Sequence, residues 1–415
     1  MNEPLRVRVA VETPQHSGLA DPLDYACDTA PPAGTFVRVP LGRREVPGIV
    51  WPGAVADAAP DGLKPLGQVL ASLPPLTERW CTLVEFAAGY YQRGIGEVAL
   101  AVLPPELRKL DDAQVAARIR KLHKALPAAG PAAAPPELPA LSDDQARVLA
   151  DLAALAGNAA QAPTVLLHGV TGSGKTEIYL RAAADALARG QQALVLVPEI
   201  NLTPQLEHRF AQRFAGRHIV SLHSALTPAQ RLRHWLAAHL GLADLVLGTR
   251  LAVFASMPRL GLIVVDEEHD PSYKQQDGAR YSARDLAVYR GKLEGAPVLL
   301  GSATPSLESW QRAQEGRYLR LALPARIGGG ALPRVRLVDM NRLPKTKGVT
   351  TALSPPLVAA LQDRIAQGEQ SLVFLNRRGY APVLHCGDCG WKSACAHCSA
   401  WRVFHKLDRT LRCHH

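Results

Sequence analysis

Val7, Val9 and Val11 stand on one side of a two-residue alternation, with Arg8 and Ala10 between them. That spacing predicts a strand with a buried face. Phe36-Val37-Arg38-Val39-Pro40 and Gly48-Ile49-Val50-Trp51 predict two more, set apart by Gly and Pro. A helix is expected from Thr77 to about Tyr91, so residues 5 to about 103 read as a small β-rich module. Further along the pattern changes. Thr164–His168, Ala193–Val197, Leu245–Gly248, Leu262–Val265 and Val298–Gly301 are short, nearly continuous apolar runs separated by helical stretches. Strands apolar on both faces and alternating with helices indicate a parallel sheet covered on both sides, an α/β architecture. Ser371–Leu375 is expected to begin a second such sheet.

From about Leu107 to Pro139 the composition shifts. Ala125-Leu126-Pro127-Ala128-Ala129-Gly130-Pro131 and Pro135-Pro136 read as a flexible or polyproline-type linker. A new module starts near Leu141, where Ser142 can cap a helix whose first turn holds Asp143 and Asp144. The expected division is therefore 1–104, 105–140, 141–325, 326–385 and 386–415.

Composition adds a partner. The 415 residues carry a net charge of +10, and 47% are apolar. A chain of this size has room for two to four domains. The excess of Lys and Arg suits either a solvated basic surface or a polyanion such as nucleic acid. Met1–Arg6 has no basic-then-apolar leader pattern, and no window approaches the ~18 apolar residues of a membrane span. The chain therefore reads as cytoplasmic, with no membrane partner and with its thiols reduced. Cys27 and Cys81 stand alone as small apolar residues, while the other five of the seven cysteines lie between Cys386 and Cys413.

Gly169-Val170-Thr171-Gly172-Ser173-Gly174-Lys175-Thr176 follows an apolar strand and precedes a helix starting near Glu177. This is the G-x-x-x-x-G-K-[ST] phosphate-binding loop in its required context. Glycines at 169, 172 and 174 let backbone N–H groups turn inward around the phosphates of ATP. Lys175 can neutralise the β and γ phosphates, and Thr176 can put its hydroxyl on Mg²⁺. Leu262–Val265 runs into Asp266-Glu267-Glu268-His269. Asp266 is expected to hold Mg²⁺, Glu267 to orient and deprotonate the attacking water, and Glu268 and His269 to link the nucleotide to neighbouring motifs.

A D-E-x-H tetrad after such a loop resembles the superfamily 2 helicases and translocases. Pro198-Glu199-Ile200, Gly248-Thr249-Arg250 and Gly301-Ser302-Ala303-Thr304-Pro305 resemble their motifs Ia, Ib and III in order and spacing. By that resemblance Arg250 touches the nucleic-acid backbone. Just after the tetrad, Tyr273, Lys274, Gln275, Gln276, Arg280, Tyr281 and Arg284 interleave aromatic, amide and cationic groups. Tyrosines there can stack on bases while cations hold phosphates, and a solvated amphipathic helix is the plainer alternative.

Cys386-x2-Cys389 and Cys395-x2-Cys398, followed by Cys413, are zinc-knuckle spacings. With Phe374-Leu375-Asn376-Arg377-Arg378-Gly379-Tyr380, the phosphate loop and Asp266–His269, they make the chain similar to the primosomal replication-restart helicases. The resemblance implies an ATP-dependent 3′-to-5′ DNA helicase built from a RecA-like lobe, a partial second lobe with a zinc-binding insertion, and a 3′-end-binding domain. It would act at stalled or repaired forks, bind forked and single-stranded DNA, and help load the replicative helicase. Single-strand-binding protein and primosome components are its implied partners. ATP, Mg²⁺ and two Zn²⁺ per full-length chain are its implied cofactors.

Asp24, Tyr25, Gly42 and Lys64 fall where this family forms its pocket for a terminal nucleotide. Tyr25 is suited to stacking on a base, and Asp24 to accepting a bond from the terminal hydroxyl. Leu23 stands at a pocket position that is aromatic in relatives, and the winged-helix domain expected before Leu141 is reduced or lost. The family's eight cysteines imply that Cys395, Cys398 and Cys413 share one zinc, with a fourth ligand beyond His415, while Cys386 and Cys389 belong to a second. The chain thus reads as cut short, with the later motor motifs and their arginine fingers absent and hydrolysis by this fragment weak. Another superfamily 2 translocase, or a fork-binding scaffold with a vestigial nucleotide site, remain the competing readings.

Overall fold

The computed structural model describes residues 4–13, 19, 21–53, 62–125, 138–156, 163–198, 204–329, 333–343, 353–374, 383–384, 386, 389–398, 400–405 and 409–413. Two compact units divide the chain, Met1–Gly330 and Ala331–His415.

The first unit opens with β1 (Leu5–Val11), β2 (Leu23–Cys27), β3 (Phe36–Leu41) and β4 (Arg44–Val50), an antiparallel sheet in the order β2-β1-β4-β3. The two-residue period of β1 sorts its side chains between two cores. Val7, Val9 and Val11 pack with Val37, Val39 and Tyr25, while Ala10 faces the larger cluster with Phe36 and Ile49. Helix α1 (Glu78–Tyr90) starts where expected, because the Thr77 side chain accepts from Trp80 N and caps its first turn. Helix α2 (Ile95–Ala101) follows.

Helix α3 (Asp112–Ala125) corrects the expectation of a linker from 105 to 140. Val115, Ile119 and Leu122 recur at helical spacing, and Val115 and Leu122 are buried. The linker composition came from the Pro-rich half of the segment, and residues 126–137 lie outside the described ones.

Helix α4 (Asp143–Ala156) begins at a reciprocal cap: Gln145 N donates to Ser142 Oγ (3.3 Å), and Ser142 N to Gln145 Oε1 (3.0 Å). Then follow β5 (Thr164–Gly169), α5 (Lys175–Ala188), β6 (Gln192–Leu196), α6 (Pro204–Arg213), β7 (Ile219–Leu222), α7 (Pro228–His239), β8 (Leu245–Gly248), β9 (Leu260–Asp266), α8 (Ala283–Glu294), β10 (Val298–Ser302), α9 (Leu307–Gln314) and β11 (Leu319–Leu323). The seven strands form one parallel sheet in the order β11-β5-β10-β9-β6-β8-β7. All five apolar runs are strands of it. The pattern missed β7 and β11, which are short or half exposed.

Phe36, Trp80 and Val98 of the N-terminal module share one buried cluster with Leu194, Trp235 and Phe254 of the parallel-sheet lobe. Polar contacts fix the seam. Trp80 Nε1 donates to Phe254 O (2.8 Å). His239 Nε2 lies 2.9 Å from Pro74 O and its Nδ1 2.9 Å from Ser256 Oγ, an arrangement met by a neutral ring with the proton on Nε2. Within the lobe, the fully buried Arg290 guanidinium donates to Val253 O and Ala255 O at 2.7 Å each, and burial pulls its pKa down to about 10. The module and the lobe share one core within the unit Met1–Gly330.

The second unit holds α10 (Pro355–Ala366), capped by Ser354, and a small antiparallel pair, β12 (Val403–His405) and β13 (Thr410–Arg412). The strand expected from Ser371 is not present: residues 371–374 have no regular structure, with Leu372 96% and Phe374 83% exposed. A parallel strand needs neighbours for its N–H and C=O groups, and no described residue from 333 to 374 is a strand. Residues 375–380 of the motif at 374–380 lie outside the described residues, as do Glu199, Ile200, His414 and His415.

Candidate nucleotide and nucleic-acid site

The phosphate loop leaves the C-terminal end of β5 and enters α5, the crevice position that open α/β sheets use for ligands. Gly172 (φ 82°) and Gly174 (φ 80°) take left-handed backbone conformations that a side chain would strain. Gly169 is small for a different reason: a Cβ there would lie 2.5 Å from Ser173 Oγ. The loop is braced from outside. Gln145 Nε2 donates to Ser173 O (3.3 Å), Val170 N to Leu323 O (3.2 Å) and Ile327 N to Gly172 O (3.0 Å). Gln145 is a loop-bracing residue that spacing alone did not single out, and its signal was the Ser142-x-x-Gln145 cap.

Lys175 is 9% exposed and donates from Nζ to Gly169 O (3.0 Å), 4.0 Å from Glu267 Oε1. Ser173 Oγ is buried without a hydrogen-bond partner. An orphaned hydroxyl, a lysine inside the loop and the free N–H groups opening α5 fit a phosphate. A nucleoside triphosphate held in such a loop would carry Mg²⁺. Thr176 and Asp266 are the residues that would hold the metal.

Asp266 ends β9. Tyr179 donates its hydroxyl to Asp266 Oδ1 (3.0 Å), and Tyr273 donates to Asp266 O (2.6 Å). Burial, then the neighbouring Glu267 charge, raises the Asp266 pKa, opposed by Tyr179 and Lys175. A divalent cation would relieve that cost. Glu267 sits at φ 44°, a left-handed turn that swings its carboxylate out of the strand line toward Lys175 and His269.

Glu268 points the other way and is 1% exposed. It accepts from Ser306 N (2.7 Å), Ser306 Oγ (3.0 Å), Ser309 Oγ (2.8 Å) and Arg284 (3.4 Å). His269 Nδ1 lies 2.8 Å from Ser302 Oγ, and Nε2 3.5 Å from Thr304 Oγ1. The tetrad is thus wired to residues 301–306. Glu177 is tied to Arg181 (2.8 Å) and Arg213 (2.6 Å), beside Thr176 in an open groove of about 400 Å³.

The loop after the tetrad divides its residues differently from the expectation. Tyr273 is 3% and Tyr281 5% exposed, so both rings are core and cannot stack on bases. A buried ring with a hydrogen-bonded or enclosed hydroxyl anchors the loop instead. Lys274 and Arg280 are exposed. Lys274 sits 5.1 Å above the Tyr91 ring. Arg250 donates to Gln275 Oε1 (2.6 Å) and Ser272 O (3.2 Å), which brings motif Ib and this loop together. Arg284, in the first turn of α8 just after the loop, reaches back to Glu268 and to Ser306 Oγ (2.8 Å) on the nucleotide side.

In the N-terminal module, Lys64 Nζ donates to Gly42 O (3.2 Å), Ala26 N to Lys64 O (2.9 Å), and the Asp24 carboxylate lies 3.7 Å from Arg6. Gly42 and Lys64 are therefore in direct contact, while Asp24 pairs with Arg6 on the same sheet. Tyr25 is corrected: it is 3% exposed, with its hydroxyl donating to Pro40 O (3.2 Å), so it supports the sheet and offers no stacking face.

In the second unit, Cys395, Cys398 and Cys413 bring their Sγ atoms within 4.8 Å of one another, while Cys386 and Cys389 lie outside that group among the described residues. His397 N donates to Cys395 Sγ (3.5 Å), which lowers the Cys395 pKa. Zn–S bonds of about 2.3 Å set tetrahedral sulfurs roughly 3.8 Å apart, so three such thiols suit zinc.

Residues 142–313 match the DEAD/DEAH box helicase family, and residues 8–104 match the 3′ DNA-binding domain of PriA. Among relatives, the replication restart protein PriA of Bacillus subtilis (strain 168) is 46% identical over 250 residues, covering 60% of this chain and 31% of its own length. That of Rickettsia felis is 36% identical over 382 residues, covering 92% and 55%. The chain spans about a third to just over half the length of the relatives it matches. A structure of RecG bound to a three-way DNA junction aligns with a TM-score of 0.41 at 19% identity, covering 70% of this chain and 35% of that one. No described helix is long and apolar enough to cross a membrane. With a PriA-type 3′ DNA-binding domain and a helicase lobe in one body, the chain belongs to the family of replication restart protein PriA.

Proposed function

We propose that this chain serves an ATP-dependent 3′-to-5′ DNA helicase that recognises stalled or repaired replication forks and initiates primosome assembly for replication restart. One observation carries the reading: a phosphate loop with its acidic tetrad shares a hydrophobic core with a 3′ DNA-binding module. Lys175, Thr176 and Asp266 bind Mg²⁺-ATP, Glu267 activates the water, and Glu268 and His269 relay the nucleotide state to residues 301–306. Lys274, Arg280 and Arg250 hold the phosphates of the tracked strand, and Asp24, Gly42 and Lys64 receive the 3′ end. The cysteines serve zinc, two ions in the full-length protein. Single-strand-binding protein and primosome components are its partners in the cytoplasm.

A fork-binding assay separates the two halves of this reading. Forks with a free 3′-hydroxyl should bind ~10-fold more tightly than forks with a 3′-phosphate, since the exposed Asp24 carboxylate repels a phosphate placed against it. Asp24→Asn should remove most of that difference. Equal affinity for both forks removes Asp24 from its role. Loss of nucleotide binding in Lys175→Ala tests the motor half independently.

A further inference from the structure

Helix α3 lies between the two matched segments, 8–104 and 142–313, and belongs to neither. Val115, Ile119 and Leu122 turn one of its faces into the core that also holds Leu232 and Trp235 of α7. By the helical period, Arg120, Lys121 and Lys124 fall on the opposite face, with Arg118 and His123 at its margins. All five are exposed. After Asp112 the helix has no acid. Helix α7, packed against it, has none either and exposes Arg233.

Cations on a solvated helix are commonly balanced by acids one turn away. Arg147 of α4 pairs with Asp144 at 2.7 Å, and Arg181 of α5 with Glu177 at 2.8 Å. On α3, Arg118, Arg120, Lys121 and Lys124 make no ion pair among the described residues. Four like charges so close together repel one another, and a polyanion relieves that repulsion. The helix is also fixed in place. Asp112 Oδ1 accepts from Ser72 N (2.7 Å) and Oδ2 from Ser72 Oγ (3.0 Å), which ties its first turn to the 3′ DNA-binding module. The cationic face therefore continues the surface of a module from a DNA-binding family. It carries no Phe, Tyr or Trp. Surfaces for single strands set aromatic platforms among their cations. A face of cations alone meets phosphates and reads no bases. From Arg118 to Lys124 it covers about 9 Å of helix axis. A DNA strand offers a phosphate every ~3.4 Å along its own axis, so two or three are within reach.

We propose that the exposed face of α3 grips the sugar–phosphate backbone of duplex DNA beside the 3′ DNA-binding module, through Arg120, Lys121 and Lys124. This rests on the reading of the chain as a DNA-binding protein. The contact adds affinity and fixes where the duplex lies, without sequence preference.

The test is the salt dependence of binding by the full-length protein, read by anisotropy on a labelled duplex and on labelled oligo-dT. The triple variant Arg120→Gln/Lys121→Gln/Lys124→Gln keeps good helix formers at exposed positions, so the fold is spared. It should bind the duplex more weakly, with a plot of log K against log salt shallower than wild type by about 2–3. Its slope on oligo-dT should stay at the wild-type value. A control, Arg189→Gln/Lys292→Gln/Arg317→Gln, removes as many exposed charges elsewhere and should leave the duplex slope unchanged. A duplex slope unaltered in the α3 variant overturns the proposal and leaves the face to solvent or to an acidic protein. An equal flattening in the control also overturns it, because net charge then accounts for the effect. If the α3 variant flattens the oligo-dT slope as much as the duplex slope, the face holds single strands and the duplex assignment falls. A wild-type protein that binds neither DNA removes the DNA-binding reading itself, a result distinct from all of these.

Discussion

Asp266 is held in the folded chain at a cost. Burial and the adjacent Glu267 raise its pKa. A carboxyl whose folded pKa exceeds its unfolded value contributes stability at low pH and loses it as pH rises through the folded pKa. At neutral pH the charged group therefore opposes folding. Asp266→Asn should raise Tm in the absence of nucleotide, by about 2–4 °C for each kcal/mol relieved. The same variant should lose the Mg²⁺-dependent part of ATP binding. A Tm that falls would place Asp266 among stabilising groups instead of site groups.

The sequence was most legible at this scale where chemistry and backbone demand the same residue. Gly172, Gly174 and Lys175 could be read from spacing alone because few side chains permit a left-handed loop around a phosphate. Tyr25, Tyr273 and Tyr281 were misread because the order of aromatic and cationic residues does not say which of them faces inward. That depends on what lies across the loop, which here is the lobe's own core.

Among elements, the loop between Asp270 and Ser282 joins most of the site. Gln275 N donates to Tyr281 O (2.8 Å), closing it into a short ring. Tyr91, just past α1, accepts from Ser282 N through its hydroxyl (2.9 Å), at the cap of α8. Tyr91→Phe removes that acceptor and keeps the ring beneath Lys274. It should cost ~0.5–1.5 kcal/mol and speed hydrogen exchange at Ser282 and its neighbours. Unchanged exchange would mean that the loop holds its shape without the N-terminal module. Helix α3 escaped notice because the Pro-rich residues after it set the composition of the window. The strand expected at Ser371 failed for the opposite reason: its apolar run was real, but a strand exists only with partners.

For the whole molecule, the N-terminal module and the lobe behave as one body because Trp80 and His239 tie them across a shared core. Sequence periodicity reports which faces are buried, not against what, so this union was not legible. It has a pH signature. Burial pulls the His239 pKa from 6.5 down to about 4. The neutral ring therefore supports the fold above pH 6.5, and the unfolded chain gains protons first as pH falls. Between pH 6.5 and 4, His239 should cost the fold up to ~1.4 kcal/mol per pH unit. His239→Gln should flatten that part of the Tm–pH curve, and an unchanged slope would assign it to other groups.

The central claim is that Lys175, Asp266 and Glu267 drive a motor answering to DNA. Its most direct measurement is steady-state ATP hydrolysis by the full-length protein, with and without a forked DNA, comparing wild type with Glu267→Gln. The account predicts a DNA-stimulated rate that falls by ~10²–10⁴-fold in the variant, the usual contribution of a general base, with ATP still bound. A wild-type rate indifferent to DNA, or a variant that hydrolyses at the wild-type rate, would contradict it.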